Sequence, residues 1–362
     1  AILDGLLKRT AAALQARRRF PEATYRLQFH AGFRFRDAER LVDYLHDLGV
    51  TDCYASPYLK ARPGSLHGYD ICDHRLLNPE IGSEEDYLAW TGALGARHMG
   101  QLLDVVPNHM GIAGNENVWW NDVLENGPAS SYAGFFDVDW HSAKPGLENK
   151  VLLPILGDPY GKALESLQLQ LHYDSGTFSV GYFEQRFPVA PCTYDRVLGH
   201  RLEELEGELG LDSEAFTEYQ SIRTAIDHLP PRTDGTADAR AERNREKEVV
   251  KRRLARLTAE SPAVRTFLGR NVERFNGHSG DPHSFDLLDG LLDCQSYRLA
   301  SWRVASDEIN YRRFFDVNEL AALSMEKPEV FRATHELILR LLRQGSVHGL
   351  RIAHPDGLFD PK

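Results

Sequence analysis

The spacing of apolar and polar residues changes repeatedly along the chain and predicts strands that alternate with helices. Residues 23–29 alternate apolar and polar side chains, as a half-buried strand does, and residues 35–48 place apolar side chains at helical spacing. Residues 50–57 predict a second strand, Ser83 begins a helix with acidic residues in its first turn, and residues 102–106 predict a third strand. This repetition predicts a parallel sheet, either in a barrel or in a doubly wound fold.

The strand–helix rhythm stops after His109 and returns at Gly349, about 240 residues later, which predicts an inserted domain because so long a loop rarely stays unstructured. The insertion begins with an aromatic-rich segment, residues 111–197, for which core packing and a sugar-binding platform are equally good interpretations. Its aromatic residues include Trp119, Trp120, Tyr132, Phe135, Phe136 and Trp140. Residues 198–305 follow with a charged, helical pattern, and residues 306–362 are expected to return to the parallel sheet and supply its fourth strand.

The remaining segments complete this division. Residues 1–22 predict an amphipathic surface helix, whose basic residues exclude a signal peptide or a membrane span. Residues 23–110 are expected to hold the first β/α units. Residues 287–304 and 330–342 predict helices that lead back to the sheet.

Composition narrows the classes of function. The chain has 362 residues, enough for a large core, and its 42 Lys and Arg against 53 Asp and Glu give a net charge of −11, which argues against a general nucleic-acid binder. Its four cysteines are scattered without a CxxC pair, so we expect reduced thiols in the cytoplasm. Histidines occur without the spacing of an HExxH or similar motif, so no metal site is expected.

Polar side chains cluster where two predicted strands meet their loops. The third strand contains Asp104 and leads to His109, and the last strand contains Arg351 and ends at Ala353 and His354. Because barrels bind substrates at the carboxyl ends of their strands, these residues are candidates for a substrate site. Arg351 and Ala353 lie on one face of the strand, since side chains alternate with a period of two. A polar strand end with a purely structural role is the alternative.

Two further segments carry candidate chemistry. Tyr69 could stack on a sugar ring and Asp70 could orient a basic partner, and the alternative is a packed Tyr beside an Asp that caps a turn. Residues 306–316 are rich in charge and aromatic rings. Within them, Arg312 and Arg313 are as suited to anchoring the segment through carboxylates as to binding hydroxyl groups.

Three ordered motifs carry a family resemblance. Residues 67–70 (HGYD), 104–109 (DVVPNH) and 349–354 (GLRIAH) resemble conserved regions of the α-amylase superfamily, glycoside hydrolase family 13. Within that superfamily, residues 23–29 and 307–315 resemble the maltooligosyltrehalose synthase family. The resemblance implies an α/β fold, namely the N-terminal part of a TIM (β/α)8 barrel with a long, largely helical insertion after the third strand.

The resemblance also implies a reaction. Enzymes of this family convert the reducing-end α-1,4 bond of a maltooligosaccharide into the α,α-1,1 bond of a terminal trehalose unit, by intramolecular transglycosylation. The chemistry is retaining, so a carboxylate nucleophile forms a covalent glycosyl-enzyme and a second carboxyl serves as acid and then as base. No cofactor is implied. The implied partners are maltooligosaccharides and the second half of the barrel, with neither nucleic acid nor membrane.

The substrate-binding roles that the resemblance implies fall on five residues. Tyr69 would stack on the sugar beside the bond that breaks, and Asp70 and Asp104 would support it from behind. His109 would hydrogen-bond a hydroxyl group of the same sugar. His354 would line the acceptor side.

The catalytic positions show both a match and a departure. Arg351 matches the residue that holds the nucleophile in position and ionised. The nucleophilic Asp of the family falls at Ala353, whose methyl group cannot attack an anomeric carbon, and a second family Asp falls at His348. The family's general acid lies beyond residue 362.

We therefore expect the isolated chain to be inactive. One alternative is a non-catalytic α-glucan-binding protein, in which Trp119 and Trp120 help to grip the sugar. The other is a half-barrel that needs a second chain.

Overall fold

The computed structural model describes residues 2–16 and 20–361, which form an α/β structure. Its strands, numbered in chain order, are β1 (Thr24–Leu27), β2 (Asp52–Ala55), β3 (Leu59–Ala61), β4 (Ile71–Leu77), β5 (Gly100–Val105), β6 (His109–Gly111), β7 (Val151–Leu156), β8 (Leu169–Asp174), β9 (Thr177–Tyr182), β10 (Gln185–Pro188), β11 (Tyr297–Ser301), β12 (Leu320–Ala322) and β13 (Gly349–Ile352). Its α-helices are α1 (Ile2–Ala16), α2 (Phe35–Arg40), α3 (Val42–Asp47), α4 (Glu84–Ala96), α5 (Val118–Asn126), α6 (Tyr160–Glu165), α7 (Asp195–Leu198), α8 (Leu202–Leu209), α9 (Glu214–Asp227), α10 (Ala237–Glu260), α11 (Pro262–Asn276), α12 (Asp286–Asp293), α13 (Ala305–Glu308) and α14 (Pro328–Gln344). Within the described residues, no helix has both the length and the apolar character of a membrane span.

The chain divides into two compact units. Unit 1 consists of Ala1–Asn108 and Met325–Lys362, and unit 2 consists of His109–Ser324. We expected residues 306–324 to return to the parallel sheet, but they belong to unit 2, because β12 forms an antiparallel pair with β6. The aromatic-rich and helical parts of the insertion lie in this one unit.

Four parallel strands form the sheet of unit 1, in the order β1-β2-β5-β13. Helices α2 and α3 connect β1 to β2, α4 precedes β5, and α14 precedes β13. The strand order follows the chain without the reversal that defines a doubly wound sheet, so the arrangement is of the barrel type. All four strands consequently end at the same edge of the sheet, where a barrel carries its site.

An aromatic cluster packs behind this sheet. The ring of Phe35 stacks on Trp90 with centroids 5.9 Å apart, and Phe29 contacts the same indole at 5.1 Å. Tyr58 and Tyr87 complete the cluster, and all five side chains are buried. Burial of several aromatic side chains dominates the energetics of a core, so this cluster holds the strands of unit 1 in place.

We expect Ser83→Ala to destabilise unit 1 by about 1 kcal/mol through loss of a helix cap. The hydroxyl of Ser83 accepts a hydrogen bond of 3.2 Å from the backbone N–H of Asp86, and the Asp86 carboxylate accepts one of 3.1 Å from the N–H of Ser83. Urea unfolding would measure the change. Thr91→Ala on the same helix is the matched control, because alanine suits a helix interior. Equal stabilities for the two variants would contradict the capping role.

Unit 2 combines helices with small sheets, and one predicted helix is wrong. Within the described residues its sheets are β10-β9-β8, β11-β7 and β12-β6. Of the helix expected over residues 287–304, only α12 forms, and the chain then enters β11, which pairs in parallel with β7. The first three residues of β11 are buried, exposed and buried, which is the period of two of a strand. In the sequence, the leucines of the preceding α12 obscure this alternation.

The two tryptophans of α5, in the aromatic-rich segment of unit 2, are core residues. Trp119 and Trp120 lie on α5 and are 3% and 2% exposed. The indole of Trp119 stacks on Tyr132 at 5.5 Å, and that of Trp120 meets Phe136 edge-on at 4.9 Å. The sugar-platform interpretation is therefore wrong for both tryptophans, because buried rings present no face to a ligand.

Candidate functional site

The carboxylate of Asp104 is the centre of the polar site in unit 1. Its side chain is 0% exposed and lies near the end of β5. Oδ1 accepts a hydrogen bond from Arg351 Nη1 at 2.9 Å. Oδ2 accepts from Tyr69 Oη at 2.5 Å, from Tyr54 Oη at 2.8 Å and from Arg26 Nη1 at 3.3 Å. Two cations and two phenols thus compensate one buried negative charge, as burial of a carboxylate requires.

The register of the sheet explains why these side chains meet. Arg26 lies opposite Tyr54, and Tyr54 lies opposite Leu102. Asp104 follows two positions after Leu102 and therefore shares its face, since side chains alternate along a strand. Arg351 lies directly opposite Asp104. Four strands consequently present their polar side chains to one point.

Both arginines remain charged and partly accessible. The hydrogen bond to Asp104 raises the pKa of Arg351, whose side chain is 46% exposed. Partial burial opposes ionisation of Arg26, but hydrogen bonds to Tyr69 and Asp104 outweigh it and raise the pKa of Arg26. The Arg26 guanidinium also lies 4.8 Å from the centre of the Tyr54 ring. The accessible edge of the site is therefore cationic, with phenol groups beside it.

A glycine turn places Tyr69 over Asp104. Gly68 has φ of +75°, and a Cβ on it would lie 2.2 Å from the carbonyl oxygen of Pro57, so no side chain fits there. The backbone N–H of Tyr69 donates to His67 Nδ1 at 3.0 Å. This turn sets the direction of the Tyr69 ring, and its proposed stacking on a sugar stays a prediction.

Asp70 is held by its own loop. Its Oδ1 accepts a hydrogen bond of 2.5 Å from Ser65 Oγ and lies 3.8 Å from His67 Nδ1. The contacts of Asp70 are therefore those of a residue that stabilises the turn before Tyr69, which was the structural alternative. A supporting role behind the sugar stays a prediction.

The backbone around Ala353 is anchored to the neighbouring strand end. Ala353 is 1% exposed, and its N–H donates to the carbonyl of Val105 at 2.8 Å. Asn108 Nδ2 donates to the carbonyls of Ala353 and His354, at 3.3 and 2.7 Å. His354 is left-handed, with φ of +45°, and its ring is half-exposed. The expected nucleophile position is therefore a fixed backbone site that carries a methyl group.

The other departure from the family pattern, His348, lies just before the start of β13. Its N–H donates to the carbonyl of Gln101 at 2.9 Å, and its Nδ1 accepts from the N–H of Gln101 at 3.2 Å. His348 therefore pairs with the backbone at the N-terminal end of the sheet, opposite to the end at which Asp104 and Arg351 meet.

His109 belongs to unit 2. It begins β6, is 2% exposed and stacks its ring on Phe314 at 4.2 Å. The structure brings together Tyr69, Asp104 and Arg351 within unit 1, whereas the contacts described for His109 are with its own unit. Its contact with a sugar hydroxyl stays a prediction.

The arginines of residues 306–316 serve as anchors. Arg312 Nε donates to Asp137 at 2.8 Å, and Arg313 Nη2 donates to Asp316 at 3.1 Å. Their contacts therefore favour the anchoring interpretation of this segment. Among residues 2–16 and 20–361, no group of three or more His, Cys, Asp or Glu is arranged to hold a metal ion.

Sequence reasoning overlooked Arg26 and Tyr54. Arg26 lies in β1 and Gln28 directly follows that strand, and Arg26 Nη2 donates to Gln28 Oε1 at 3.0 Å. Polar residues on the inner face of a strand are the signal that could have identified them, had the register of β1, β2 and β5 been known.

We expect Tyr54→Phe to change the stability profile at high pH. Burial, together with the hydrogen bond to Asp104, raises the pKa of Tyr54 to about 12. A folded-state pKa above the unfolded value of about 10 stabilises the fold below pH 10, and this stabilisation is lost as the pH rises towards 12. Urea unfolding at several pH values should therefore show a shallower decline between pH 10 and 12 for the variant, to be compared with exposed Tyr44→Phe as the control. Parallel declines would contradict the buried Tyr54–Asp104 bond.

A family model described as "Alpha amylase, catalytic domain" matches residues 38–164. A protein of Mycobacterium tuberculosis named as a maltooligosyl trehalose synthase is 31% identical over 345 residues, which are 94% of this chain and 32% of that protein. An intracellular maltogenic amylase of Bacillus subtilis is 37% identical over 97 residues, 27% of this chain and 16% of that protein.

Solved structures of maltooligosyltrehalose synthases are also similar to this chain. Maltooligosyltrehalose synthase from Arthrobacter ramosus superposes with a TM-score of 0.63 and 32% identity, over 94% of this chain and 32% of that one. This chain spans about a third of the length of the Mycobacterium and Arthrobacter proteins. The resemblance seen in the motifs is thus confirmed: over nearly all of its length the chain is similar to maltooligosyltrehalose synthases, and residues 38–164 match the model of the α-amylase catalytic domain.

Proposed function

We propose that this chain forms the sugar-binding part of a maltooligosyltrehalose synthase-like protein, which rearranges the reducing-end α-1,4 bond of maltooligosaccharides to the α,α-1,1 bond of trehalose. The observation that carries the proposal is that Tyr69 and Arg351 both contact Asp104. Arg351 lies two residues before Ala353, the position of the expected nucleophile. A ring, a buried carboxylate and an exposed cation at the carboxyl end of a parallel sheet suit recognition of a glucose unit. We further propose that β1, β2, β5 and β13 are the first four strands of an eight-stranded barrel.

Each side chain has a role in this proposal. The half-buried Tyr69 ring stacks on the sugar. Asp104 fixes this ring, because its carboxylate accepts a hydrogen bond of 2.5 Å from the hydroxyl group of Tyr69. Arg351 holds Asp104 through Nη1, and its exposed guanidinium is available to a second carboxylate. In a retaining enzyme that carboxylate is the nucleophile, which a neighbouring arginine keeps ionised.

Ala353 leads us to propose that the chain binds sugar without turnover. An alanine side chain forms no glycosyl-enzyme, and loss of a nucleophile costs many powers of ten in rate while binding contacts survive. Incubation with maltopentaose is therefore expected to give no trehalosyl product, and formation of that product would refute inactivity. Calorimetry is expected to detect maltopentaose binding that Tyr69→Ala abolishes, and no heat at millimolar sugar would refute the binding role.

A non-catalytic α-glucan-binding protein is the second candidate, and the buried methyl group of Ala353 favours it. A half-barrel that docks a second chain is the third. Leu350 and Ile352, on the edge strand β13, are 37% and 42% exposed, as expected of an edge that another strand covers. Size-exclusion chromatography and thermal unfolding would distinguish these candidates, because a monomer that unfolds in one cooperative transition needs no partner chain. A cytoplasmic location remains an expectation from the scattered cysteines.

A further inference from the structure

The loop that carries Tyr69 has little apolar anchorage at its tip. The loop spans residues 62–70, between β3 and β4, and its tip is formed by Leu66 and His67, whose side chains are 68% and 56% exposed. A segment that buries little apolar surface opens easily unless other contacts hold it. The position of the Tyr69 ring over Asp104 therefore depends mainly on polar contacts.

One of these contacts comes from the end of β1. Gln28 directly follows that strand, and its Nε2 donates a hydrogen bond of 2.9 Å to the carbonyl oxygen of Leu66, 38 positions later in the chain. The bonds that Ser65 Oγ makes with Gly68 and Asp70 join the loop only to itself. Gln28 therefore ties the tip of the loop to the parallel sheet.

The orientation of the Gln28 amide follows from its two partners. Arg26 Nη2 donates to Gln28 Oε1 at 3.0 Å. A guanidinium group only donates and a backbone carbonyl only accepts, so the amide oxygen has to face Arg26 and the amide nitrogen has to face Leu66. The reversed amide would lose both bonds, so this side chain is fixed in one orientation.

The same chain of hydrogen bonds reaches the hydroxyl group of Tyr69. Arg26 Nη2 also donates to Tyr69 Oη at 3.3 Å, and Arg26 Nη1 donates to Asp104 Oδ2 at 3.3 Å. Tyr69 is consequently held at two points, namely at its hydroxyl group by Asp104 and Arg26 and through the backbone of its loop by Gln28. Two separate attachments restrict the direction of a ring more than one does, and supporting bonds of this kind preorganise binding sites.

We propose that Gln28 is a positioning residue for sugar binding, which latches the Tyr69 loop to β1 and keeps the Tyr69 ring in the orientation that receives the sugar. This inference rests on the function proposed above, in which that ring stacks on a glucose unit. Gln28 acts through Leu66 and Arg26 without touching the sugar. A ring that is already oriented binds more tightly, because less conformational freedom is lost on binding.

Two substitutions separate this latch from a merely structural role. In Gln28→Glu the carboxylate keeps the bond to Arg26 but has no donor for the Leu66 carbonyl, and in Gln28→Met neither bond forms. We expect both variants to bind maltopentaose about fivefold more weakly in calorimetry, as loss of one hydrogen bond predicts. Gln28→Glu should nevertheless keep its stability in urea, because its carboxylate forms an ion pair with Arg26. Gln344→Met, which removes an exposed amide at the end of α14, is the matched control and should change neither property.

Hydrogen exchange measured by mass spectrometry tests the latch without sugar. The amides of residues 62–69 should exchange about fivefold faster in both Gln28 variants, because loss of the bond to Leu66 favours local opening. The same amides should exchange at the wild-type rate in Gln344→Met. Wild-type exchange rates in both Gln28 variants would overturn the latch, and faster exchange with wild-type affinity would overturn the positioning role.

The affinities distinguish failure of this inference from failure of the proposed function. If the wild-type chain binds maltopentaose and both Gln28 variants bind it equally well, the positioning role alone is overturned. If the wild-type chain gives no heat at millimolar sugar, the proposed function is overturned and the positioning role with it, whereas faster exchange would still support the latch. Affinity lost in Gln28→Met but kept in Gln28→Glu would show that Gln28 acts through Arg26 alone, which would overturn the bond to Leu66 as the latch.

Discussion

Asp104→Asn is expected to destabilise unit 1 by about 3 kcal/mol, as an order of magnitude for removal of one partner from a buried charge pair. The carboxylate is fully buried and accepts hydrogen bonds from Arg26, Tyr54, Tyr69 and Arg351. In the asparagine variant, an NH₂ group replaces one carboxylate oxygen and faces groups that are themselves hydrogen-bond donors. The variant also leaves both guanidinium charges without a counter-charge. The expected loss is at the lower end for buried pairs, because both arginines are partly exposed. Urea unfolding at neutral pH measures it.

The control for this prediction is Asp70→Asn, the same chemical change in the neighbouring loop. Asp70 accepts one close hydrogen bond, from Ser65, so we expect a loss of about 1 kcal/mol. A double-mutant cycle between Asp104→Asn and Arg351→Met then isolates the pair, and its coupling energy should be at least about 1 kcal/mol. If both Asp variants lose the same stability, Asp104 is not the centre of the site.

Ala353→Asp is expected to raise trehalosyl product formation by at least about 10⁴-fold in a chimera that continues this chain with the remainder of the Mycobacterium relative. Ala353 shares a strand face with Arg351, so a carboxylate there lies beside a cation that favours its ionised form. Its backbone is already held by the bond to Val105 and by the amide of Asn108. Product from maltopentaose, with a glycosyl-enzyme detected by mass spectrometry after rapid quenching, is the measurement.

Ala353→Asn in the same chimera is the matched control. It has nearly the size of Asp but is a poor nucleophile, so it should remain inactive. Comparable activity of the two variants would show that the residue at 353 is not the missing nucleophile. Failure of Ala353→Asp in a chimera that is folded and binds maltopentaose would show that another change, with His348 the first candidate, also blocks the reaction.

The local sequence was sufficient to predict much of the secondary structure of unit 1. Strands β1, β2, β5 and β13 and helices α4 and α14 lie where periodicity predicted them, because each has a clear pattern and a capping or breaking residue such as Ser83 or Gly345. The motif around Asp104 was likewise visible as a polar strand end. The helix expected over residues 35–48 forms as two, α2 and α3, which meet at Leu41.

Unit 2 was less predictable for a physical reason. The same residue type is buried in the core as Trp119 and exposed at the surface as Trp302, and only the tertiary packing distinguishes the two. Likewise, β11 is a strand because β7 offers it a parallel partner, nearly 150 residues earlier in the chain. Patterns within a few residues of one another contain no information about such partners.

By itself, the sequence determined which residue types stand at the ends of the strands, the order of the three motifs, and the presence of a methyl group where the related enzymes are expected to carry a carboxylate. The tertiary structure decided which of these residues meet. Arg26, Tyr54 and Arg351 reach Asp104 from strands up to 247 positions away, because the register of a parallel sheet, set by backbone hydrogen bonds, aligns them.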